Sequence, residues 1–312
     1  MLMVISKNRV IIVLHSGRKK RSLCKKPVKM GVDMSKLIWS AFSDEYSQDL
    51  VEQCKALNGY GIEYMEARGI NGKNVSELTE SEVSEMKKVL ADYGIKVSAI
   101  GSPLGKIRLD GDMAAHRELA KRICNTANEL SAQYVRVFSF YLPEGKTREE
   151  CKGQVYDGME QLVQISKEYG VTFCHENEAK IYGESPEKCL ELMQYFGGRL
   201  KAVLDMGNFV LDGHDPMRAY EDLKDYIEYF HVKDSLYAGA IVPPGKGEAQ
   251  IKAVLDRYKA EGKKDTFMTL EPHLQTFSGL NALVGKKFDN PYKYENQQVA
   301  FTDAVEKLRG LV

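Results

Sequence analysis

From Ser35 onward, short runs of apolar or β-branched residues alternate with longer segments in which apolar residues recur at helical spacing. This alternation is typical of repeated βα units, whose strands assemble into a parallel sheet. The pattern predicts eight strands, with regular spacing between them. They cover residues 37–43, 62–68, 96–102, 134–140, 171–176, 201–206, 229–233 and 266–271.

Amphipathic segments between these strands predict helices, and several carry recognisable start and stop signals. Thr79, Thr147 and Ser185 each stand where a side-chain oxygen can accept a hydrogen bond from an unpaired amide at a helix start. Gly94 and Gly170 stand where a left-handed residue ends a helix shortly before a strand. The clearest helical segments are residues 80–93, 113–130, 148–169 and 250–261.

Eight βα units in about 275 residues match the size of a TIM barrel, whereas an open doubly wound sheet more often has five or six strands. The first strand also lacks the GxGxxG turn of a dinucleotide-binding fold. We therefore predict an α/β protein with one (β/α)8 TIM-barrel domain over residues 35–312. The long irregular segment 275–294 follows strand eight, and we expect it to close over the barrel mouth or to pack on a second subunit.

The first 34 residues differ from the rest because they are strongly basic. We predict that residues 1–34 form a disordered tail or are translated sequence upstream of a start at Met34. The apolar run at residues 10–14 is too short for a signal peptide or a membrane span, so we expect a cytoplasmic protein.

Six scattered cysteines without a CxxC pair fit reduced thiols. Because 44 Lys and Arg balance 44 Asp and Glu, we expect neither nucleic acid nor a membrane as a partner.

Four of the predicted strands end in segments rich in acidic residues and histidine. These segments are CHENE at 174–178, LDMGN at 204–208, FHVKD at 230–234 and LEPH at 270–273. In a TIM barrel the carboxyl ends of the strands meet at one face, so the segments should converge there. Their metal-ligand candidates are Glu176, Asp205, His231 and Glu271. Three carboxylates and one imidazole suit Mn²⁺, Mg²⁺, Co²⁺ or Zn²⁺.

These segments, with EARG at 66–69 and PGKG at 244–247, resemble the xylose isomerase-like superfamily, and within it the sugar phosphate isomerase/epimerase group. The resemblance covers roughly residues 34–312. It implies that Glu176, Asp205, His231 and Glu271 bind one divalent metal ion, for which we expect Mn²⁺ first. It also implies that Glu176 and Glu271 are catalytic and stand on either side of the substrate carbon.

The chemistry implied by the resemblance is removal of a proton from a carbon next to a carbonyl group. A metal ion that polarises the carbonyl stabilises the enediolate, and a carboxylate within reach moves the proton. We predict a metal-dependent isomerase or epimerase of a sugar, sugar phosphate or polyol. The alternative is a lyase similar to inosose dehydratases or C-glycoside-cleaving enzymes, because both reactions begin with the same proton transfer.

Two other functions receive less support from the sequence. The abasic-site endonuclease of the same superfamily needs further ligands for two or three metals, yet the ends of strands two and three carry no histidine. A scaffold subunit without turnover is disfavoured by the intact ligand set. Glycine loop 244–247 is compatible with phosphate binding but also with an ordinary βα loop, so substrate phosphorylation stays open.

Further polar residues near the strand ends are candidates for contact with a carbohydrate substrate. They are Glu66, Arg68, Glu178, Asn208, Lys233 and His273. His175 points to the other side of its strand, so we expect a packed structural histidine, and we expect Asp234 to support or cap a neighbouring segment. A homo-oligomer or a small partner subunit is a further expectation from the resemblance.

Overall fold

The computed structural model describes residues 2–6, 9–13, 34–274 and 292–312. The chain divides into two compact units, Met1–Val32 and Asp33–Val312. In the first unit, strands Leu2–Ser6 and Arg9–Val13 form an antiparallel pair, in a segment for which the sequence predicted a disordered tail or upstream translated sequence. Residues 14–33 lie outside the described part of the chain, so the division at residue 34 stays a prediction.

The second unit is a closed barrel of eight parallel strands, as the sequence predicted. Each strand pairs with the next one along the chain, and β8 pairs with β1 from Thr266↔Leu37 to Leu270↔Ala41, which closes the barrel. The strands are β1 (Leu37–Ala41), β2 (Tyr64–Ala67), β3 (Lys96–Ile100), β4 (Tyr134–Val137), β5 (Thr172–Glu176), β6 (Lys201–Asp205), β7 (Ile227–Val232) and β8 (Thr266–Leu270).

Helices surround the barrel and follow the predicted segments closely. The capping residues act as expected: Thr79 and Thr147 form capping boxes, Ser185 caps its helix, and Gly94 and Gly170 end theirs in the left-handed conformation. The helices are α1 (Leu50–Gly59), α2 (Glu80–Tyr93), α3 (Met113–Glu129), α4 (Arg148–Tyr169), α5 (Pro186–Phe196), α6 (Met206–Leu211), α7 (Pro216–Leu223), α8 (Ile251–Ala260) and α9 (Gln297–Arg309).

Inside the barrel, an apolar layer lies one step below the polar strand ends. Cys174, Val203 and Tyr229 pack together there, with Tyr134 and Phe267 against them. Because side chains alternate along a strand, the residues two positions later on β5, β6 and β7 face the same interior, one layer nearer the mouth. Those residues are Glu176, Asp205 and His231. The layering therefore places the predicted ligands above an apolar floor.

Segment 275–291, which holds most of the predicted closing or packing segment after β8, lies outside the described residues. Among the residues that the structure describes, no helix is long and apolar enough to cross a membrane.

Candidate metal centre

The four predicted metal ligands come together at the carboxyl end of the barrel. Glu176 and Asp205 are the last residues of β5 and β6, His231 lies in β7, and Glu271 directly follows β8. Their possible ligand atoms all lie within 4.8 Å of one another. All four residues are at most 3% exposed. The barrel thus concentrates three carboxylates and an imidazole in one buried cluster.

His231 is held on both ring nitrogens by carboxylates. Its Nε2 lies 3.0 Å from Glu66 Oε2, while its Nδ1 lies 3.0 Å from Glu176 Oε1 and 3.3 Å from Glu271 Oε2. The Tyr229 hydroxyl also donates to Glu66, over 3.1 Å. Burial lowers the pKa of His231, but Glu66 and Glu176 outweigh it and raise that pKa well above its usual value.

A second network fixes Asp205 and brings in a lysine. Asn177 bonds both the backbone amide and the carbonyl of Asp205, over 2.9 Å each. Lys233 Nζ lies 2.8 Å from Asp205 Oδ2, 3.0 Å from Asn208 Oδ1 and 3.3 Å from Glu271 Oε2. Burial raises the pKa of Asp205 to about 7, although the lysine opposes this shift. Asp205 is therefore both buried and tightly oriented.

Two arginines contact the predicted catalytic glutamates. Arg68 Nη1 donates to Glu271 Oε1 over 2.9 Å, and its other nitrogens bind Asp44 and Glu45 over 2.8–3.0 Å. Arg136 Nη1 lies 3.3 Å from Glu176 Oε2.

Both glutamates are held in the ionised form. For Glu176, burial raises the pKa, but His231 and Arg136 lower it to about 2. Burial also opposes ionisation of Glu271, whose pKa is nevertheless lowered well below its usual value, with Lys233 the largest of the lowering influences.

The donor set fits a divalent cation. Glu176 Oε2 and Glu271 Oε2 are buried and have ionic contacts, but neither has a hydrogen-bond partner among the described residues. Carboxylate oxygens with spare lone pairs and an imidazole are ligands for Mg²⁺, Mn²⁺ and Zn²⁺. A second group, Glu45, Glu271 and His273, also brings ligand atoms within 4.8 Å. Arg68 binds both carboxylates of that group, Glu45 and Glu271, whereas the first group also offers the unbonded Glu176 Oε2.

A pocket of about 530 Å³ opens beside this cluster. Five of the six predicted substrate contacts line it, together with Glu176 and Glu271. These five are Arg68, Glu178, Asn208, Lys233 and His273. Glu66 differs, because its carboxylate is 1% exposed and is engaged by His231 and Tyr229. The structure therefore places Glu66 behind the imidazole, where it orients His231.

Two neighbouring residues have the structural roles that the sequence suggested. His175 is buried in the layer outside the strands, with Nε2 2.9 Å from Ser139 Oγ. The Asp234 carboxylate accepts hydrogen bonds from the backbone amides of Ser235, Gly245, Gly247 and Ala249, over 2.7–3.1 Å. Within the 244–247 loop the Gly245 and Gly247 amides donate to this carboxylate, and the Lys246 amide donates to the Pro243 carbonyl, so no loop amide is left to offer a substrate phosphate.

Sequence reasoning missed several residues of the site. Arg136 is a charged residue within the apolar run of β4, and that placement alone could have identified it as an inward-facing group. Asp44 and Glu45 lie in a 3₁₀ turn after β1, Ser43–Glu45, where nothing in the local pattern indicated that they would bind Arg68. Asn177 stands inside the recognised strand-five segment but acts on the backbone of the next strand.

Solved structures share this architecture at low sequence identity. D-psicose 3-epimerase with D-tagatose, from Clostridium cellulolyticum H10, has a TM-score of 0.70 and 12% identity over 88% of this chain and 98% of that one. The probable 3-DHS dehydratase AsbF from Bacillus anthracis has a TM-score of 0.66 and 16% identity over 88% and 98%. A xylose isomerase-like TIM barrel protein from Mycobacterium smegmatis, in complex with magnesium, has a TM-score of 0.63 and 14% identity over 90% and 97%.

At these identities the solved structures establish the fold and do not determine the reaction. A comparison with curated protein sequences found no match. The family model of the xylose isomerase-like TIM barrel matches residues 51–288, which include β2–β8 and the four clustered ligands. The barrel, the ligand cluster and the family match agree, and the chain belongs to the xylose isomerase-like TIM barrel family.

Proposed function

We propose that this protein is a divalent-metal-dependent isomerase or epimerase of a small carbohydrate or polyol. The observation that carries the proposal is the pair of buried glutamates, Glu176 and Glu271, which both line the pocket and cluster with Asp205 and His231. The two glutamates come from β5 and from the end of β8, and His231 lies between them within 3.3 Å of both. This arrangement supports proton transfer on either side of one substrate carbon.

Glu176, Asp205, His231 and Glu271 would hold the metal ion, and Mn²⁺ is our first choice. When bound, a divalent ion supplies Lewis-acid polarisation of a substrate carbonyl. Glu66 holds the imidazole in place, and Asn177 fixes the Asp205 backbone. Such supporting contacts orient ligands before the ion arrives.

The reaction itself needs a base and an acid. One glutamate takes the proton of the carbon next to the carbonyl, and the C–H electron pair forms the C=C bond of the enediolate while the carbonyl π pair moves onto oxygen. In an isomerase or epimerase, a glutamate returns a proton to carbon. In the alternative, a dehydratase or lyase, the same intermediate expels a substituent from the next carbon. The structural similarity to AsbF, a probable dehydratase, supports that alternative.

The first test is metal content. We expect about one equivalent of metal in the purified protein after incubation with Mn²⁺ and removal of loose ions, and a much weaker affinity in Glu271→Gln. Glu63→Gln is the matched control, because that side chain is 72% exposed and pairs with Lys96 on the surface. Binding by neither the wild type nor the control would reject the metal centre.

The second test measures proton exchange. The metal-loaded protein is incubated in ²H₂O with a panel of ketoses, keto polyols and their phosphates, and deuterium incorporation and products are followed by NMR. We expect deuterium at one carbon next to the carbonyl. A rearranged or inverted sugar would identify an isomerase or epimerase, whereas loss of water or another substituent would identify a lyase. Metal binding without exchange on any substrate would reject both reactions.

A further inference from the structure

Arg136 is a buried cation within an apolar strand. It lies in β4, in the sequence Tyr134–Val137, and is 6% exposed. Removing a guanidinium from water is costly unless nearby groups compensate it. Its placement in the barrel wall therefore needs an explanation, and the contacts of the side chain supply one.

The guanidinium lies between the two predicted catalytic glutamates. Its Nη1 is 3.3 Å from Glu176 Oε2 and 3.9 Å from Glu271 Oε1. Its Nη2 donates to the carbonyls of Gly101 over 3.2 Å and Ser102 over 3.5 Å, while its Nε has no hydrogen bond among the described residues. The Nε is buried, whereas the Nη1 contacts to the two glutamates are ionic and Glu176 Oε2 accepts no hydrogen bond among the described residues, so donor capacity remains at Nη1.

Two aromatic rings hold the guanidinium in place. Its central carbon lies 5.1 Å from the ring centre of Phe42 and 5.0 Å from that of Phe138. Cation–π contacts of this kind fix a planar group while leaving its N–H donors available. Arg136 also lines the pocket, next to Glu176 and Glu271.

The other pocket cations nearby are committed to protein carboxylates. Arg68 binds Asp44 and Glu45 as well as Glu271. Lys106 lies over the Phe138 ring and pairs with Glu178 at 2.9 Å. Lys233 also lines the pocket and lies 3.3 Å from Glu271, but it is hydrogen-bonded to Asp205 and Asn208. Arg136 differs from these cations, because both of its carboxylate contacts are to the glutamates predicted to move the proton.

We infer that Arg136 is a further catalytic residue, whose guanidinium donates a hydrogen bond to the substrate oxygen that becomes negatively charged when a glutamate removes the proton. This inference rests on the proposed function. As the C–H electron pair moves into the new C=C bond, the displaced π pair accumulates on the carbonyl oxygen. A fixed cation between the two glutamates lies next to that charge. Its hydrogen bond to the substrate oxygen is strongest after the proton has moved to the glutamate.

The test compares Arg136→Ala and Arg136→Lys with the wild type in the deuterium-exchange assay. Removal of one such donor typically lowers kcat by about 100- to 1000-fold, and we expect this for Arg136→Ala with only a small change in KM. Arg136→Lys keeps the charge without the planar fork and should retain intermediate activity. Added guanidinium ion should restore exchange by Arg136→Ala in a saturable manner, which a purely structural role would not produce.

Three further measurements make the outcome specific. The metal content and the urea unfolding midpoint of Arg136→Lys, at least, should equal those of the wild type. A loss of proton exchange then cannot be explained by unfolding or by loss of the metal. Arg108→Ala is the matched control, because Arg108 is half-exposed and pairs with Asp110. Wild-type kcat in Arg136→Ala, or a loss that guanidinium does not rescue and that Arg136→Lys shares fully, would overturn the role of Arg136. A wild type without exchange on any substrate would overturn this role together with the proposed function.

Discussion

At the scale of single residues, the site depends on groups that never face the pocket. Glu66 joins β2 to β7 by accepting hydrogen bonds from the Tyr229 hydroxyl and the His231 ring. A carboxylate behind a ligating histidine fixes the ring orientation and its tautomer, so that the opposite nitrogen faces the metal. Metal affinity should therefore respond to a residue that touches no metal.

Glu66→Gln should weaken Mn²⁺ binding by about 10- to 100-fold, because the neutral amide accepts the imidazole hydrogen bond less strongly. Isothermal titration calorimetry of the metal-free protein with Mn²⁺ measures the change in affinity. Tyr229→Phe is the control: it removes one donor to Glu66 but keeps the carboxylate, and should have a smaller effect. Equal affinities for Glu66→Gln and the wild type would contradict the orienting role.

His116 predicts a pH dependence away from the site. Its Nε2 accepts a hydrogen bond from the Gly105 amide over 2.8 Å, and burial lowers its pKa. The folded state thus favours neutral imidazole, whereas the unfolded chain protonates near the ordinary pKa of about 6.5. The stabilisation from this group is complete above that pH and is lost as the pH falls below it.

Urea unfolding between pH 8 and pH 5 tests this dependence. His116→Gln retains an acceptor oxygen that does not titrate, so its unfolding free energy should fall less between those pH values than that of the wild type. Because all other titrating groups are shared, the difference between the two slopes isolates His116. Parallel slopes would show that the imidazole does not lose its proton on folding.

At the scale of elements, local signals in the sequence determine where helices begin. The amide of Glu150 donates to the Thr147 hydroxyl, and the Glu150 carboxylate returns to the Thr147 amide over 2.8 Å. Helix α4 follows directly and packs against α3 and β5. The cap therefore supports one of the longest elements in the outer layer.

Thr147→Ala should lower the free energy of unfolding by about 1 kcal/mol, because it leaves a helix-start amide without its side-chain acceptor. Thr147→Ser keeps that acceptor and should lose much less. Urea denaturation of both variants checks the difference. If serine and alanine were equally destabilising, the methyl group of Thr147 and not its hydroxyl would be the important feature.

The strands and helices could be predicted because their determinants are local. Apolar alternation, Thr147 and Ser185 at helix starts, and Gly94 and Gly170 at helix ends all act within a few residues. The ligand cluster could be predicted because the barrel brings every strand end to one face. The partners of Arg68 could not, because Glu271 lies 203 residues away and side-chain packing decides which carboxylate the guanidinium meets.

At the scale of the whole molecule, the barrel is closed by pairing between β8 and β1. Five residue pairs join the two strands, and Lys36 reinforces the seam through its amide, which donates to Asp265 over 2.8 Å. All eight barrel strands and all four predicted ligands lie within the unit Asp33–Val312. A single continuous part of the chain thus forms both the barrel and its site.

A chain that begins at Met34 should therefore keep the thermal midpoint and the Mn²⁺ affinity of the 312-residue chain. Differential scanning calorimetry and metal titration of the two proteins test this expectation. A lower midpoint or weaker metal binding in the shorter protein would show that residues 1–33 stabilise the barrel, contrary to the predicted division at residue 34.

The loop 244–247 has a consequence for how the mouth of the barrel receives its substrate. Asp234 is 2% exposed, and its two oxygens bind four backbone amides, including those of Gly245 and Gly247. A Cβ atom on Gly247 would lie 2.2 Å from Asp234 Oδ1, so the backbone approaches the carboxylate as closely as a glycine permits. The protein thus supplies its own anion to this loop. This part of the loop is thus ordered without a substrate, so its ordering takes no affinity from binding in the pocket, which Gly239 and Ile241 of the same segment line.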